Sequence, residues 1–327
     1  MTLVNEAVQA ALRALGNPDL ESLQIVRAER IAQQYYPHLD PAQPSLLVGL
    51  SDARLAARVG QTLLQAYPPE HQVTLVRGGL AQALPLSALA QGDGWGPETC
   101  LWVPALPAPG SYAALQDVIA HLRAPDGCPW DRELTWARLR ATLLEETYEL
   151  LAALDAENAA KVAEELGDLL LQVAMQTQIA CEQGLFRLPD VIQRVVDKLI
   201  RRHPHVFGTA RFSGPEEVLA NWEAIKRAER ASNGEQRSPL SGIPANLPAL
   251  AQAQAYLDRM SRLEAVAVPD APWAALAQLP AGAKVTPEMV GKALFGLAAW
   301  AWAHGIDAES ALRQANATYA AQVAAPG

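Results

Sequence analysis

Two short acidic stretches carry the side chains of this sequence that are best suited to chemistry. In LLEETYELL, Glu146 and Glu149 are three residues apart, and in AEELGDLLLQV, Glu165 and Asp168 repeat that spacing. Residues three apart share one face of a helix, so each stretch would present two carboxylates side by side. Leucines flank both pairs, and few Lys or Arg residues lie near them in the sequence. Both pairs are therefore expected close to apolar surface and without basic partners.

Four such carboxylates could together bind a divalent cation. The segment ALDAENAA can turn the chain, with Asp155 or Asn158 as the cap of the second helix, so that two antiparallel helices bring the acids together. Carboxylates at short range repel one another, and Mg²⁺, which prefers oxygen ligands and often joins carboxylates to phosphates, relieves this repulsion. The alternative is a solvated helix face, which is the usual role of a single such pair.

A basic and aromatic stretch further along the chain could bind phosphate. DKLIRRHPHVFG places Lys198 and Arg202 four residues apart on one helix face, and NWEAIK does the same for Trp222 and Lys226. Arg and Lys side chains can hold phosphate oxygens, and a Trp ring can stack on a nucleobase. The alternatives are cations that stabilise a helix C-terminus and a tryptophan of the core.

Composition limits the class of protein. The 327-residue chain is half apolar and has a formal net charge of −9, which argues against a broad nucleic-acid-binding surface. Cys100, Cys128 and Cys181 are widely spaced and form no CxxC pair, so neither a zinc site nor a disulfide framework is expected. The N-terminus lacks a signal-peptide pattern, and no apolar run reaches the ~18 residues of a membrane span. We expect a soluble, cytoplasmic protein without nucleic-acid or membrane partners.

Three segments of different character should position these residues. Apolar runs at 45–50, 72–78 and 100–106 predict strands, and a helical pattern between the first two completes a small α/β segment over 1–108. The proline-rich stretch PALPAPG is typical of a linker, and a polar stretch at 232–242 marks a second boundary. Between these boundaries the predicted helices are 111–123, 135–154, 158–183, 189–201 and 215–231.

Residues 111–231 resemble the MazG nucleoside triphosphate pyrophosphohydrolases. The resemblance rests on five blocks in the same order, LRAPDGCPWD, EETYE, EELGDLLLQV, DKLIRRHPHVFG and NWEAIK. It implies an all-α helical bundle that forms a homodimer and hydrolyses an acid anhydride, converting nucleoside triphosphates to monophosphates and pyrophosphate with Mg²⁺ or Mn²⁺. We therefore expect a mainly α chain, preceded by the small α/β segment, that cleans the nucleotide pool.

The resemblance also implies roles for individual residues. The carboxylates that match the family's metal ligands are Glu146, Glu149, Glu165 and Asp168. The residues that fall where the family contacts the nucleotide are Lys161, Lys198, Arg202, Trp222 and Lys226. Glu145, the first acid of EETYE, would bind or orient the attacking water.

The flanking segments resemble incomplete domains. Residues 243–327 look like a second MazG copy in which Met289 and Lys292 stand at the ExxD positions and Thr318 at that of a phosphate-binding Lys. We expect this copy to be catalytically inactive and to serve packing, dimerisation or regulation. Residues 19–108 resemble the C-terminal half of a tetrapyrrole methylase domain without its Gly-rich cofactor loop, so methyl transfer is not expected.

Two alternatives to a general pyrophosphohydrolase stay open. The decayed second copy would suit a non-catalytic module that binds nucleotides or proteins, although the intact carboxylates of the first copy favour catalysis. The enzyme could also accept a narrow set of substrates, such as deoxyuridine, deoxycytidine or phosphoribosyl-ATP nucleotides. Base choice depends on the shape of the pocket, which residue spacing does not reveal.

Overall fold

The computed structural model of the chain describes residues 2–107, 110–232, 240–262, 266–269 and 285–324. Parts of the predicted linker, of the boundary at 232–242 and of the third segment lie outside these residues. Contacts divide the chain into two compact units. One consists of Met1–Arg140 and Leu170–Leu185, and the other of Ala141–Leu169 and Phe186–Gly327.

The first unit contains a five-stranded mixed sheet with the strand order β1-β2-β5-β3-β4. The strands are β1 (Gln24–Arg27), β2 (Ser45–Val48), β3 (Gln72–Arg77), β4 (Leu80–Pro85) and β5 (Cys100–Val103). Strands β1 and β2 are parallel, and the other neighbours are antiparallel. The three predicted strands are confirmed, each ending earlier than expected.

Strands β1 and β4 were not predicted from the sequence. Strand β4, LAQALP, lies at the edge of the sheet and is mostly exposed, so it lacks the alternation of apolar and polar residues that reveals a strand. It forms because Gly78 and Gly79, with φ values of 53° and 79°, make the tight turn that returns the chain along β3. The formation of β4 therefore depends on its pairing with β3 and not on a local sequence pattern.

Helices cover both faces of the sheet. They are α1 (Thr2–Ala14), α2 (Ala28–Ala32) and α3 (Ala53–Leu63), followed by a 3₁₀ helix at Leu86–Gln91. Helices α2 and α3 and the 3₁₀ helix bury Leu47 and Leu101 on one face. Helix α1 buries Leu46 and Val76 on the other. Because both faces are covered, β2 is buried at every position.

Helices dominate the rest of the chain, and the described residues from 110 onward contain no strand. The helices are α4 (Tyr112–Leu122), α5 (Pro129–Arg132), α6 (Trp136–Asp155), α7 (Ala159–Glu182), α8 (Leu188–Arg202), α9 (Pro204–Phe207), α10 (Pro215–Ser232), α11 (Ala249–Ser261), α12 (Pro287–Ala303) and α13 (Ala308–Ala324). All five predicted helices are confirmed to within one residue at each end. No helix in the described part of the chain has the length and apolarity needed to span a membrane.

The LRAPDGCPWD loop between α4 and α6 is held by a buried arginine. Arg123 pairs with Glu182 at 2.7 Å and donates to the backbone carbonyls of Asp131 and Leu134. A side chain at Gly127 would collide with backbone carbonyls of α4, which explains the glycine at this point of the loop. Apolar packing of Ile119 with the α6 and α7 residues of the first unit completes this region.

Candidate functional site

Helices α6 and α7 position the acidic residues. Glu157 takes the left-handed conformation, with φ of 50°, between the two helices. The side chain of Asn158 then accepts a hydrogen bond of 3.2 Å from the backbone N–H of Lys161, so Asn158, and not the alternative Asp155, caps α7. This tight connection returns the chain so that α7 follows α6 after three residues.

Three of the predicted carboxylates come together. One oxygen each of Glu146, Glu165 and Asp168 lies within 4.8 Å of the other two. Glu146 is on α6, while Glu165 and Asp168 are three residues apart on α7. Glu146 and Asp168 are half-buried, and Glu165 is fully buried at 0% exposure. Both helices therefore contribute to one acidic centre, which we call the carboxylate group.

The remaining two acids of EETYE lie at its edge. Glu145 and Glu149 are exposed, and neither belongs to the set of oxygens within 4.8 Å. Glu149 is nevertheless near enough for its charge to act on Glu146. The structure thus brings together three of the four predicted ligands and leaves the fourth beside them.

The pKa of Glu146 reports the crowding of negative charge. Partial desolvation raises this pKa above its ordinary value, and the charge of Asp168 raises it further. Glu149, Glu165 and Glu145 add smaller contributions of the same sign. The site therefore holds more negative charge than its own side chains balance.

Glu165 has a basic partner that the sequence analysis did not expect. Nζ of Lys161, one helical turn earlier, lies 2.7 Å from Oε1 of Glu165 and 3.0 Å from Oε1 of Glu164. The expectation that the acids lack basic partners is therefore wrong for Glu165. The physical reason is the i,i+4 geometry of α7, which places Lys161 and Glu165 on the same face.

That ion pair does not satisfy the buried carboxylate. Among the described residues, neither oxygen of Glu165 accepts a hydrogen bond of regular geometry, so the 2.7 Å contact is an ion pair with unfavourable angles. A buried charge without hydrogen bonds is costly, and a cation bound directly to the oxygens removes that cost. The group offers only oxygen donors, which a hard divalent cation such as Mg²⁺ prefers. The residues present fit such an ion.

The predicted nucleotide-binding residues on α8 and α10 form a second group. Arg202 pairs with Glu229 at 2.6 Å, and Arg201 pairs with the same carboxylate at 2.7 Å. Hydrogen bonds from Arg202 and, more weakly, from Arg201 hold the pKa of Glu229 below its ordinary value. These contacts connect α8 to α10. Lys198, one turn before Arg202 on α8, is exposed.

Trp222 and Lys226 lie one turn apart on α10. Nζ of Lys226 is 5.4 Å from the centroid of the Trp222 ring and 3.0 Å from Oε1 of Glu223. Trp222 is 37% exposed, and the ring of His203 lies 6.2 Å from it, centroid to centroid. The structure therefore places an accessible aromatic ring beside a cation, as the sequence predicted from their spacing.

Sequence reasoning missed the acids that hold these cations. Glu223 is three residues before Lys226, a spacing that could have indicated the pair, and it also contacts Arg262 at 2.5 Å. Glu229 is 27 residues from Arg202, and only the tertiary structure joins them. No local pattern in the sequence could have revealed that second contact.

The third segment has no comparable acidic centre in its described residues. Met289 and Lys292 both lie on α12, and Nζ of Lys292 pairs with Oε1 of Glu288 at 2.6 Å. Both partners are exposed. Thr318, on α13, donates a hydrogen bond to the backbone carbonyl of Gln314 within its own helix.

Comparison with known proteins relates the chain to a family. The sequence profile of the "MazG nucleotide pyrophosphohydrolase domain" matches residues 134–207, a range that includes the carboxylate group, Lys161, Lys198 and Arg202 but not Trp222 or Lys226. The nucleoside triphosphate pyrophosphohydrolase of Escherichia coli is 45% identical over 150 residues, which make up 46% of this chain and 57% of that protein.

Two further relatives cover more of the chain. The uncharacterized protein YabN of Bacillus subtilis is 33% identical over 255 residues, or 75% of this chain and 51% of YabN. An uncharacterized 26.1 kDa protein of Streptomyces cacaoi is 36% identical over 222 residues, or 64% of this chain and 83% of that protein. The chain thus spans about half the length of YabN and of the Escherichia coli enzyme. Taken together with the matched profile and the carboxylates that it includes, these similarities show that the chain belongs to the MazG family.

Proposed function

We propose that this chain hydrolyses nucleoside triphosphates to nucleoside monophosphates and pyrophosphate, with Mg²⁺ or Mn²⁺, at the carboxylate group. The observation that carries the proposal is Glu165, which is fully buried, accepts no regular hydrogen bond in the described residues, and lies within 4.8 Å of two further carboxylates. Relatives named nucleoside triphosphate pyrophosphohydrolase support the reaction type.

Glu146, Glu165 and Asp168 would hold the divalent ion, and Glu149 would join them from the exposed side of α6. A bound divalent ion would neutralise triphosphate oxygens and make a nearby water more acidic. The number of donors is adequate for Mg²⁺, which usually keeps several waters and takes further oxygens from substrate phosphates.

Glu145 is our candidate for the residue that orients the attacking water. The water oxygen forms a bond to one of the two phosphorus atoms of the α–β phosphoanhydride, that anhydride bond breaks, and the nucleoside monophosphate and pyrophosphate are released. The carboxylate of Glu145 takes the proton of the water. Its exposed position beside the carboxylate group leaves it accessible to solvent water and substrate.

The second group would hold the nucleotide. Lys198, Arg202 and Lys226 would neutralise phosphate oxygens and the charge that develops on the leaving group. Glu229 and Glu223 keep two of these cations in defined positions before the substrate arrives. The accessible ring of Trp222 would stack on the base. Lys161 is the remaining phosphate-binding candidate.

We also infer that the helical part adopts the all-α pyrophosphatase bundle and forms a homodimer. Apolar side chains that are exposed on the described helices support the inference, because a single chain rarely leaves so many uncovered. On α6 to α8 of the second unit they include Leu144, Leu154, Leu166, Ile192, Val195, Leu199 and Ile200. The ranges 1–108, 111–231 and 243–327 remain our proposal for the domains.

A pyrophosphate-release assay on a panel of ribo- and deoxyribonucleoside triphosphates tests the proposal. Release that requires Mg²⁺ or Mn²⁺ and stops when EDTA is added is the expected result. Turnover of one deoxynucleotide alone would restrict the proposal to a narrow-specificity enzyme. If no nucleotide of the panel released pyrophosphate with either metal, the result would contradict the proposed hydrolysis and favour a non-catalytic module.

A further inference from the structure

Lys161 is the positive charge nearest to the buried acid of the carboxylate group. Its Nζ lies 2.7 Å from Oε1 of Glu165, and its side chain as a whole is 44% exposed. Glu165 itself has no exposure. The pair therefore joins a fully buried carboxylate to the ammonium group of a partly exposed side chain.

The contact between Lys161 and Glu165 is short, but its angles are unfavourable for a hydrogen bond. Within the part of the chain that the structure describes, neither oxygen of Glu165 accepts a hydrogen bond of regular geometry, although Nζ of Lys161 is within ion-pair distance of Oε1. Lys161 also shares its charge with Glu164, 3.0 Å away. One ammonium group thus pairs with two carboxylates, and one of these, Glu165, has Glu146 and Asp168 within 4.8 Å as well. Lys161 compensates the charge only in part.

A divalent cation at Glu165 would compete with Lys161. Two cations at the same carboxylate oxygen repel each other, and the divalent ion interacts more strongly with several carboxylates at once. The lysine side chain is long and flexible, so moving its ammonium group into water costs little. A divalent ion at this site would therefore favour an arrangement in which Lys161 has left Glu165.

We propose that Lys161 is the internal counter-ion of the metal-free site and leaves Glu165 when a divalent cation binds, which makes its ammonium group available to the phosphates of the nucleotide. The proposal rests on the proposed function, because it takes the carboxylate group to be a metal site. It adds that metal binding prepares one of the phosphate-binding residues. By thermodynamic linkage, metal and nucleotide then strengthen each other's binding.

The test compares the melting midpoints of the full chain and of Lys161→Met, without nucleotide, in EDTA and in saturating Mn²⁺. In EDTA, loss of the counter-ion lowers the midpoint by about 2–4 °C. In Mn²⁺ the difference disappears, because Lys161 no longer contacts Glu165. The variant accordingly binds Mn²⁺ about fivefold more tightly, since the metal no longer competes with an ammonium group.

Lys292→Met is the matched control. Lys292 and Glu288 form an ion pair of 2.6 Å with the same four-residue spacing, but their side chains are 77% and 76% exposed. An exposed pair contributes little, so the midpoint of this variant stays within about 1 °C of the full chain under both conditions.

Three results would overturn the proposal while leaving the metal site intact. An equal loss in EDTA and Mn²⁺ would show that Lys161 stays paired. A higher midpoint of the variant in Mn²⁺ would show that Lys161 stays beside the ion and repels it. No loss in EDTA would show that Lys161 is not a counter-ion. If Mn²⁺ fails to raise the midpoint of the unaltered chain, the metal site fails, and this inference fails with it.

A measurement on the unaltered chain covers the case in which Lys161→Met does not fold. Acetylation of lysines by an N-hydroxysuccinimide ester, followed by mass spectrometry, reports how accessible and reactive each lysine amine is. Mn²⁺ should raise the labelling rate of Lys161 at least threefold and leave that of Lys292 unchanged. A constant rate at Lys161, in protein whose midpoint Mn²⁺ does raise, would overturn the proposal.

Discussion

Helices α7 and α12 each carry a Lys and a Glu one turn apart, and the two pairs lie in very different surroundings. On α7, Lys161 meets a glutamate that is fully buried and has two further carboxylates within 4.8 Å. On α12, Lys292 meets Glu288 in solvent, where about three quarters of each side chain is exposed. The same local spacing therefore gives part of a crowded acidic centre in one place and an ordinary surface ion pair in the other.

The difference lies in what the neighbouring helix supplies. Glu146 approaches Glu165 and Asp168 from α6, so negative charge accumulates around the buried carboxylate of Glu165. The described residues of the third segment contain no group of three acidic, His or Cys side chains close enough to hold a metal ion. Burial and convergence of two helices, rather than the presence of acids on one, distinguish a metal-binding arrangement from a solvated face.

The largest expected effect is on catalysis. Asp168→Asn should reduce pyrophosphate release by about 100-fold or more, because a lost metal ligand removes several kcal/mol of charge stabilisation. Lys292→Met, the control on α12, should leave turnover unchanged. Steady-state assays with saturating Mg²⁺ measure both. If the folded Asp168→Asn protein kept its full turnover, the carboxylate group would not be needed for catalysis. Helix α7 would then be no more important for activity than α12.

A smaller effect is expected at a contact between α6 and the third segment. Arg313 of α13 donates to Oδ2 of Asp155, the last residue of α6, at 2.9 and 3.0 Å. Their side chains are only 24% and 26% exposed. In a double-mutant cycle of Asp155→Asn and Arg313→Gln, urea unfolding should give a coupling energy of about 0.5–1 kcal/mol.

That cycle tests whether the third segment serves packing. A coupling energy near zero would mean that this contact does not stabilise the protein and would weaken the assignment of a packing role. A measurable coupling would show that the third segment supports the helix that carries Glu146.

A weaker effect, of opposite sign, is expected from removing a carboxylate charge. Without metal, Glu146→Gln should raise the melting midpoint by roughly 1–2 °C, because it relieves repulsion from Asp168 and the other acids. In Glu288→Gln the midpoint should instead stay level or fall slightly, because an attractive ion pair is lost. A lower midpoint for Glu146→Gln would indicate a structural network in place of a metal site.

The pH dependence sharpens this prediction. Because the fold raises the pKa of Glu146 above its ordinary value of 4.5, the native state binds that proton more tightly than the unfolded chain does. The contribution of Glu146 to stability is therefore favourable while it is protonated and is lost as the pH rises from about 4.5 through the raised pKa. Melting in EDTA between pH 4 and 7 should show this loss in the unaltered chain and a smaller one in Glu146→Gln.

The smallest effect is expected from restoring acids to α12. Met289→Glu combined with Lys292→Asp recreates the ExxD spacing, yet the number of Mn²⁺ ions bound per chain in calorimetry should not change. The reason is that two carboxylates on one exposed helix face bind Mn²⁺ too weakly without a facing pair. An additional tight Mn²⁺ site in this variant would show that the spacing alone is sufficient.

Local patterns in the sequence determined much of the helical part. Apolar periodicity placed all five predicted helices to within one residue, and Asn158 was one of the two residues, with Asp155, predicted as a possible cap of α7. The two pairs of acids were found from spacing, since i,i+3 geometry is a property of any helix. Strands β1 and β4 were not predicted because both lie at the edges of the sheet, where they are only partly buried and lack the continuous apolar run that identified β2 and β5.

Only the tertiary structure decided which acids form the centre. Spacing treats Glu149 and Glu146 alike, yet one is exposed and the other joins Glu165 and Asp168. The burial of Glu165, its contact with Lys161 and the pairing of Arg202 with Glu229 likewise depend on where neighbouring helices lie. Helical periodicity determines the face on which a residue lies, whereas burial and charge balance depend on what packs against that face.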